Sequence, residues 1–242
     1  MIDPMFSYYG GKHRTALLYP EPRYPHIIEH FAGSAGYASR YHTRDVTLVE
    51  RDPIVAGVWR YLIAVTPAEI LALPDAVEST DDLGGEAEEA RWLIGFWLAR
   101  ARRYPARTAS PWARDHRSSA SLHWGSGAKR RIARQVQMIR HWVIIEGDYS
   151  EAPDDEATHS IDPPYQDKGK HYRFGSSDLD FGALAEHAQT RRGQVFVCEQ
   201  AGADWLPFEP LATCRGQRGE SSEVIWSNMP PAQAGLFAGV SP

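Results

Sequence analysis

Short apolar runs alternate with segments of helical character along this chain of 242 residues. The runs are rich in Val and Ile and stop at glycine, proline or charged residues, which is typical of buried strands. They lie at residues 26–31, 46–49, 143–145, 159–161, 195–198 and 223–226. Because strands that alternate with helices usually form a mostly parallel sheet covered on both faces, the sequence predicts an α/β fold.

A long stretch, residues 57–140, interrupts this alternation with helical sequence and an irregular segment rich in Ser, Arg, Trp and Gly. Along the whole chain, helices are expected at residues 54–65, 86–103, 128–142 and 181–192, with a further start at Thr66 before a proline. We therefore expect one α/β domain, residues 1–56 and 141–242, that carries a mainly helical insertion, residues 57–140.

Composition narrows the class of protein. Two cysteines, Cys198 and Cys214, support neither a disulfide framework nor a thiolate metal site. No pair of histidines has the spacing of metal ligands, so no metal is expected. No apolar stretch approaches the roughly 20 residues that span a bilayer, and the first residues show no basic stretch that leads into an apolar run. We expect a cytoplasmic protein with no membrane partner.

The net charge of −5 hides an uneven distribution of charge. Every charged residue from 75 to 89 is acidic, whereas from 91 to 140 Asp115 is the single acidic residue among many basic ones. Clustered Lys and Arg side chains neutralise phosphates. The basic part of the insertion is therefore the candidate surface for a nucleic-acid backbone.

A glycine-rich turn, Gly33-Ser34-Ala35-Gly36, follows the first predicted strand. Doubly wound sheets bind ligands beyond the carboxyl ends of their strands, and glycines let the backbone approach a ligand closely. Glu50, which ends the next strand, has the position of an acid that binds ribose hydroxyls. An ordinary turn explains the same residues. The segment also departs from the full dinucleotide fingerprint, so a nicotinamide cofactor is not favoured.

Asp162-Pro163-Pro164-Tyr165 follows another predicted strand. The two prolines fix φ at about −65° and withdraw two backbone donors, so the strand ends and the chain stiffens. The Asp162 carboxylate, the Pro163 carbonyl and the Tyr165 ring then suit a flat amine, because acceptors meet its hydrogens and the aromatic ring stacks on its plane. A proline-rich surface loop with a packed tyrosine is the alternative.

A third segment near the N-terminus, Tyr8-Tyr9-Gly10-Gly11-Lys12, combines aromatic residues, paired glycines and a cation. Alone, it is equally compatible with a flexible turn. In this order, however, the three segments resemble the Dam-type (D12 class) family of DNA adenine-N6 methyltransferases. That family has an aromatic-x-Gly-Gly-Lys segment, Glu-x-Phe-x-Gly, an acid that closes the second strand, a target-recognition insertion, a Gly-Asp pair and Asp-Pro-Pro-Tyr.

The matching residues are 8–12, 29–33, 50, 147–148 and 162–165, and residues 223–228 look like the family's closing strand. The resemblance covers nearly the whole chain outside the insertion. Ala35 is a departure, because members often have a second glycine there, and this leaves the shape of the turn open.

The resemblance implies the class I methyltransferase fold, a Rossmann-like sheet with one reversed strand and helices on both faces. It also implies S-adenosylmethionine as the cofactor, bound across the strand ends. The implied cofactor-binding residues are Tyr8, Gly11, Lys12, Phe31, Ala32, Gly33, Glu50, Asp148 and Asp162. Without the resemblance, Asp148 is better explained as a turn residue after its strand.

The implied catalytic residues are Asp162, Pro163, Pro164 and Tyr165. Asp162 and the Pro163 carbonyl accept hydrogen bonds from the exocyclic amine of a flipped-out adenine, and Tyr165 stacks on its ring, while the methyl group is transferred directly. The segment 171–174 is either a loop that closes on the flipped base or a packed aromatic cluster.

Double-stranded DNA is the implied partner, and a cognate restriction endonuclease is a second candidate. The basic residues of the insertion that we expect to contact DNA are Arg103, Arg107, Arg114, Arg117, Lys129, Arg130, Arg131 and Arg134. A solvated basic helix face accounts equally well for about half of the insertion's basic side chains.

Three alternatives stay open, and a fourth is not favoured. An RNA adenine-N6 methyltransferase uses the same four-residue motif, and a catalytically inactive DNA-binding relative keeps the fold, although the intact Asp162, Tyr165 and Lys12 argue against lost activity. A cytosine-N4 methyltransferase more often has serine in place of the aspartate. Methylation at cytosine C5 needs a cysteine that usually follows a proline, and neither cysteine of this chain does.

Overall fold

A computed structural model describes residues 1–111, 114, 123–216 and 219–229 of the chain. The strands are β1 (His26–Glu29), β2 (Asp45–Glu50), β3 (Val143–Glu146), β4 (Ala157–Ile161), β5 (Gly193–Gln200), β6 (Glu209–Gly216) and β7 (Gly219–Ser227). The α-helices of this part of the chain are α1 (Pro53–Ala64), α2 (Pro67–Ala72), α3 (Glu88–Leu98), α4 (Ser126–Gln135) and α5 (Phe181–Thr190).

The seven strands form one sheet in the order β3-β2-β1-β4-β5-β7-β6. The pairs from β3 to β5 are parallel, and β7 runs antiparallel to both of its neighbours. The chain leaves β1 toward β2 and β3 on one side and continues through β4 and β5 on the other. The order therefore reverses between β1 and β4, and a crevice forms beyond the carboxyl ends of these two strands.

Alternate side chains of β5 point to opposite faces of the sheet. Phe196 and Cys198 join a large core with α1 and α3, whereas Val195 and Val197 pack in a second cluster with α5. Helices thus cover both faces, and the α/β prediction with a mostly parallel sheet is confirmed. No helix in the described ranges has the length and apolar character needed to cross a membrane.

The N-terminal segment is anchored between the sheet and the insertion. Phe6 is fully buried, with ring centroids 5.5 Å from Trp59 of α1 and 5.1 Å from Phe96 of α3. The indole nitrogen of Trp97 donates to the Met5 carbonyl at 3.0 Å. The helices that follow β2 therefore share their core with the sheet and fix the start of the segment 8–12.

Two predicted helices differ from the structure, and one strand was not predicted. The helix expected at 86–103 ends at Leu98, because the chain turns at Ala101 (φ 49°) and Arg102 pairs with Tyr8. The helix expected at 128–142 is α4 followed by a 3₁₀ turn, Val136–Ile139. Strand β6 was not predicted, since its sequence contains a proline, which is tolerated at the edge of a sheet and gives no strong strand signal.

Candidate functional site

A cavity of about 610 Å³ opens at the carboxyl ends of β1, β2 and β4. Every residue predicted to be catalytic or to bind the cofactor lines it. These residues are Tyr8, Gly11, Lys12, Phe31, Ala32, Gly33, Glu50, Asp148, Asp162, Pro163, Pro164 and Tyr165. They come from five separate segments of the sequence, so the fold gathers them at the point where the strand order reverses.

Asp162 stands directly after β4 and is paired with Lys12. The Lys12 ammonium donates to both carboxylate oxygens at 2.9 Å, and the same nitrogen lies 4.5 Å from the centroid of the Tyr165 ring. The side chains of Lys12 and Asp162 are 15% and 23% exposed. Burial by itself would lower the pKa of Lys12, but Asp162, Glu223 and Tyr172 together more than offset it, and the pKa is raised. Lys12 is therefore a fixed positive charge inside the cavity.

Glu223 and Tyr19 also line the cavity, and neither was singled out as a site residue from the sequence. Glu223 lies on β7 and is buried, and its carboxylate accepts a 3.2 Å hydrogen bond from the Tyr19 hydroxyl. Burial raises the pKa of Glu223. The sequence shows only that an acidic residue stands directly before the apolar run 224–226. This does not indicate that Glu223 reaches the cavity, because the sequence does not show which strand lies beside β7.

The turn after β1 is joined to the end of β2 through Glu50. One carboxylate oxygen of Glu50 accepts from the backbone N–H of Gly33 at 2.8 Å, and the other accepts from that of Asp52 at 2.9 Å. Burial raises the pKa of Glu50 to about 7, although these backbone donors favour the ionised form. The carboxylate is thus held at the cavity wall in the position expected for a ribose-binding acid.

The turn after β1 places Ala35 in a backbone conformation that favours glycine. Gly33 and Ala35 both have positive φ, 46° and 49°. Gly36 serves another purpose, since a Cβ at this position would lie 2.9 Å from the carbonyl carbon of Lys12 and 3.0 Å from the backbone nitrogen of His13. The missing side chain of Gly36 therefore allows the segment that carries Lys12 to pack against the turn.

Asp148 lies at the edge of the cavity and has a local structural role. Its carboxylate accepts from the backbone N–H and the hydroxyl of Ser150 at 3.2 and 3.0 Å, which caps the 3₁₀ turn Tyr149–Glu151. Arg51 approaches the other oxygen at 3.8 Å. Asp148 is therefore a turn residue after β3, as its sequence context indicates. It also lines the cavity, and its role in cofactor binding stays a prediction.

The segment after Tyr165 folds back over the cavity. Tyr172, Arg173 and Phe174 line it, and the Tyr172 hydroxyl donates to the Tyr9 carbonyl at 3.3 Å. Arg173 reaches Asp52 at 3.5 Å. This part of the chain forms one wall of the cavity, and its closing on a base stays a prediction.

Three histidines form a hydrogen-bonded chain at the cavity wall, in which His30 and His159 are buried and His187 is half-buried. His159 Nε2 lies within 3.1 Å of two backbone carbonyl oxygens, so it carries the hydrogen and Nδ1 accepts from His30 Nε2 at 2.9 Å. His30 Nδ1 in turn accepts from His187 Nε2 at 3.1 Å. Burial lowers the pKa of all three, that of His187 to about 4. The neutral chain ties α5 to β1 and β4 beneath the turn.

The structure separates the candidate DNA contacts into groups. Arg103 is close to the cavity, since it donates to the His171 carbonyl at 2.7 Å and lies 4.9 Å from the Tyr9 ring centroid. Arg130 and Arg134 are exposed on α4. Arg117 lies outside the described residues.

Lys129 must be removed from the candidate DNA contacts. Its ammonium is buried and donates to the Leu71 carbonyl at 3.0 Å, to the Leu73 carbonyl, and to Asp75 at 2.7 Å. These three bonds use all three hydrogens of the ammonium group. Its neighbour Arg131 is half-buried with its guanidinium 4.9 Å from the Trp97 ring centroid.

Two acidic residues of the stretch 75–89 meet part of the basic stretch at the protein surface. Arg107 pairs with Asp81 at 2.9 Å and Arg114 with Glu78 at 3.3 Å. Both pairs are exposed, so they contribute little to stability and a phosphate can compete for the arginines. The roles of Arg107 and Arg114 in DNA binding stay predictions.

No family model matches the chain, and no curated protein matches it either. Among solved structures, the chain is similar to one described as a conserved hypothetical protein from Streptococcus pyogenes. The identity is 10%, the TM-score is 0.40, and the match covers 86% of this chain and 88% of that one.

Proposed function

We propose that this protein is an S-adenosylmethionine-dependent methyltransferase that acts on N6 of a flipped-out adenine in DNA. The observation that carries the proposal is the position of Asp162 and Tyr165 at the end of β4, in the same cavity as Gly33 and Glu50. The sheet order with one reversed strand, β7, supports the methyltransferase class, since it agrees with the fold that the motif resemblance implies.

The cavity suits the cofactor on the side of β1 and β2. The volume of about 610 Å³ lies within the range of small-molecule sites. Gly33 and Ala32 present backbone without large side chains, and Glu50 offers carboxylate oxygens for ribose hydroxyls. Asp148 would accept from the adenine amine of the cofactor. When bound, S-adenosylmethionine supplies a methyl group made electrophilic by its sulfonium.

The side of the cavity next to β4 suits the target base. N6 of adenine is a poor nucleophile because its lone pair is delocalised into the ring. Asp162 and the Pro163 carbonyl, as acceptors for the two N6 hydrogens, favour a pyramidal nitrogen whose lone pair can attack, and Tyr165 stacks on the ring. Asp162 also stands where it can take the proton that leaves N6. Positioning and electrostatics supply the rate enhancement.

Binding of the amine by Asp162 requires a change in the contacts between Asp162 and Lys12. Both oxygens of Asp162 accept from Lys12 in the structure, so the carboxylate must share its second lone pairs, or lose one Lys12 bond, when the amine binds. Glu223 is buried in the same cavity and attracts Lys12 electrostatically. Lys12 therefore has a second carboxylate toward which it can shift.

Transfer of a radiolabelled methyl group from S-adenosylmethionine to duplex DNA and to structured RNA tests the proposal. We expect label in DNA as N6-methyladenine, and a loss of about 10²-fold or more in rate for Asp162→Ala, with cofactor binding largely retained. Label in RNA alone would assign the protein to the RNA enzymes. No transfer to either substrate, or full activity of Asp162→Ala, would contradict the assignment.

A further inference from the structure

Two cationic segments, residues 100–104 and 168–173, lie beside the cavity and together form a cationic rim. Ala101 belongs to the first segment, and Lys168 and Tyr172 belong to the second, and all three line the cavity. The two segments are far apart in the sequence. They meet because the Arg103 guanidinium donates to the His171 carbonyl at 2.7 Å.

Both segments are also fixed to the N-terminal segment that carries Lys12. The backbone N–H of Tyr9 donates to the Arg102 carbonyl at 3.0 Å, and that of Ala101 donates to the Ser7 hydroxyl at 2.9 Å. On the other side, the Tyr172 hydroxyl donates to the Tyr9 carbonyl. The cationic rim is therefore tied by hydrogen bonds to the part of the cavity that holds Asp162.

The charge of the rim is concentrated and accessible. Its cationic side chains are Arg100, Arg102, Arg103, Lys168, Lys170 and Arg173, of which all but Arg103 are exposed. Among the residues that the structure describes, no carboxylate lies within ion-pair distance of those at 100, 102, 168 and 170. Asp52 meets Arg173 at 3.5 Å.

Part of the basic insertion differs from the rim in this respect, because Arg107, Arg114 and Lys129 face acids of the stretch 75–81. It also exposes an aromatic ring, because Tyr104 is 58% accessible and lies 5.9 Å from the Arg102 guanidinium. Exposed arginines and lysines beside an aromatic side chain are the groups that bind phosphates and stack on bases.

We propose that the cationic rim binds the sugar-phosphate backbone on either side of the flipped nucleotide. A nucleotide whose base reaches Asp162 must pass its own phosphates over the cavity mouth, where the rim stands. The proposal rests on the proposed function for its substrate. It adds that the phosphate contacts nearest the target come from residues 168–173 as well as from the insertion.

The salt dependence of binding to a fluorescently labelled mixed-sequence DNA duplex tests this inference. In Lys168→Ala/Lys170→Ala we expect weaker binding, and a slope of log K against log salt smaller by about 1 to 2, measured between about 50 and 200 mM salt. The control is Arg44→Ala/Arg192→Ala, which removes two positive charges at the amino ends of β2 and β5, away from the cavity. Arg192 pairs with Asp154 at 3.5 Å, so this variant also loses that ion pair. We expect its slope to change by less than half as much.

An unchanged slope in the Lys168→Ala/Lys170→Ala variant, or an equal loss in the control, would overturn the inference. A parental protein whose binding does not depend on salt would also overturn it, and would indicate a partner other than a nucleic acid. Methyl transfer is measured on the same preparations. Transfer with an unaltered slope contradicts the rim alone, whereas an altered slope without transfer contradicts the proposed function alone.

Discussion

The Lys12 ammonium lies 2.9 Å from both carboxylate oxygens of Asp162, although 150 residues separate them in the chain. Each residue is positioned by a different constraint. Asp162 follows β4 and is stiffened by two prolines, whereas the Lys12 segment packs against the turn at Gly36. The pair therefore joins the N-terminal segment to the central strand of the sheet and defines one side of the cavity.

Removing one member of this pair should destabilise the fold. In Lys12→Met the mostly buried Asp162 loses its partner, and we expect a loss of about 2 kcal/mol, less than for a fully buried pair because both side chains retain some exposure. The double variant Lys12→Met/Asp162→Asn removes both charges and should be more stable than the sum of the single losses predicts. Urea unfolding measures all variants. Strict additivity would show that the two residues do not interact.

Glu50 should link stability and cofactor binding to pH in opposite directions. Its pKa is raised to about 7 in the folded protein, so the folded state binds this proton more tightly than the unfolded state does. The resulting stabilisation of the fold is full below about pH 4.5 and is lost as pH rises through 7. Glu50→Gln lacks this loss. We therefore expect the variant to gain stability relative to the parent between about pH 5 and 8.

Cofactor affinity should change the other way. The ionised carboxylate is the better acceptor for ribose hydroxyls, so parental affinity for S-adenosylmethionine should increase as pH rises through 7, while that of Glu50→Gln stays nearly flat. Titration calorimetry and urea unfolding at matched pH values measure the two effects. The same pH dependence in parent and variant would exclude Glu50 as its source.

Gly36→Ala should disturb the site, because Gly36 lines the cavity and packs against the segment that carries Lys12. The added methyl would meet the backbone of Lys12 and His13, which cannot rotate away, and overpacking of this kind costs about 1 to 3 kcal/mol. Gly84→Ala is the matched control, since no atom lies within 4 Å of the added carbon. The thermal unfolding temperature and the rate of methyl transfer should both decrease in Gly36→Ala. Both should stay near parental values in Gly84→Ala.

Neighbouring cations of α4 should have separate roles. Lys129→Met removes three buried hydrogen bonds, and we expect a loss of about 3 kcal/mol with little change in the salt slope of DNA binding. Arg130→Ala/Arg134→Ala removes exposed charges, so it should leave stability within about 0.5 kcal/mol of the parent and decrease the salt slope. Equal stability losses in the two variants would contradict this division.

The sequence alone predicted those features that depend on neighbouring residues. The apolar runs of β1, β2 and β5 are buried as their pattern indicates. Thr66 is the N-cap of α2, and its hydroxyl forms a capping box with the Glu69 carboxylate. The site segments were also found from short motifs, because each combines unusual backbone restraint with reactive side chains in a few residues.

Contacts between distant segments could not be predicted in this way. The end of α3 at Leu98 depends on the pairing of Arg102 with Tyr8, and Glu223 reaches the cavity because β7 lies next to β5. Lys129 and Arg130 are adjacent cations with the same local chemistry. Because α4 packs on α2, Lys129 points inward to the Asp75 carboxylate, whereas Arg130 stays in solvent. The local sequence does not predict this difference.

The sequence by itself therefore determined the α/β class and the order along the chain of the segments that line the cavity. The chemistry of Asp162 and Tyr165 stays a prediction. Tertiary structure decided which charges meet, namely Lys12 with Asp162 and the basic stretch with the acidic one. The physical reason is distance. Backbone restraint and hydrophobic periodicity act over a few residues, whereas ion pairs depend on which surfaces the completed fold brings within a few ångströms.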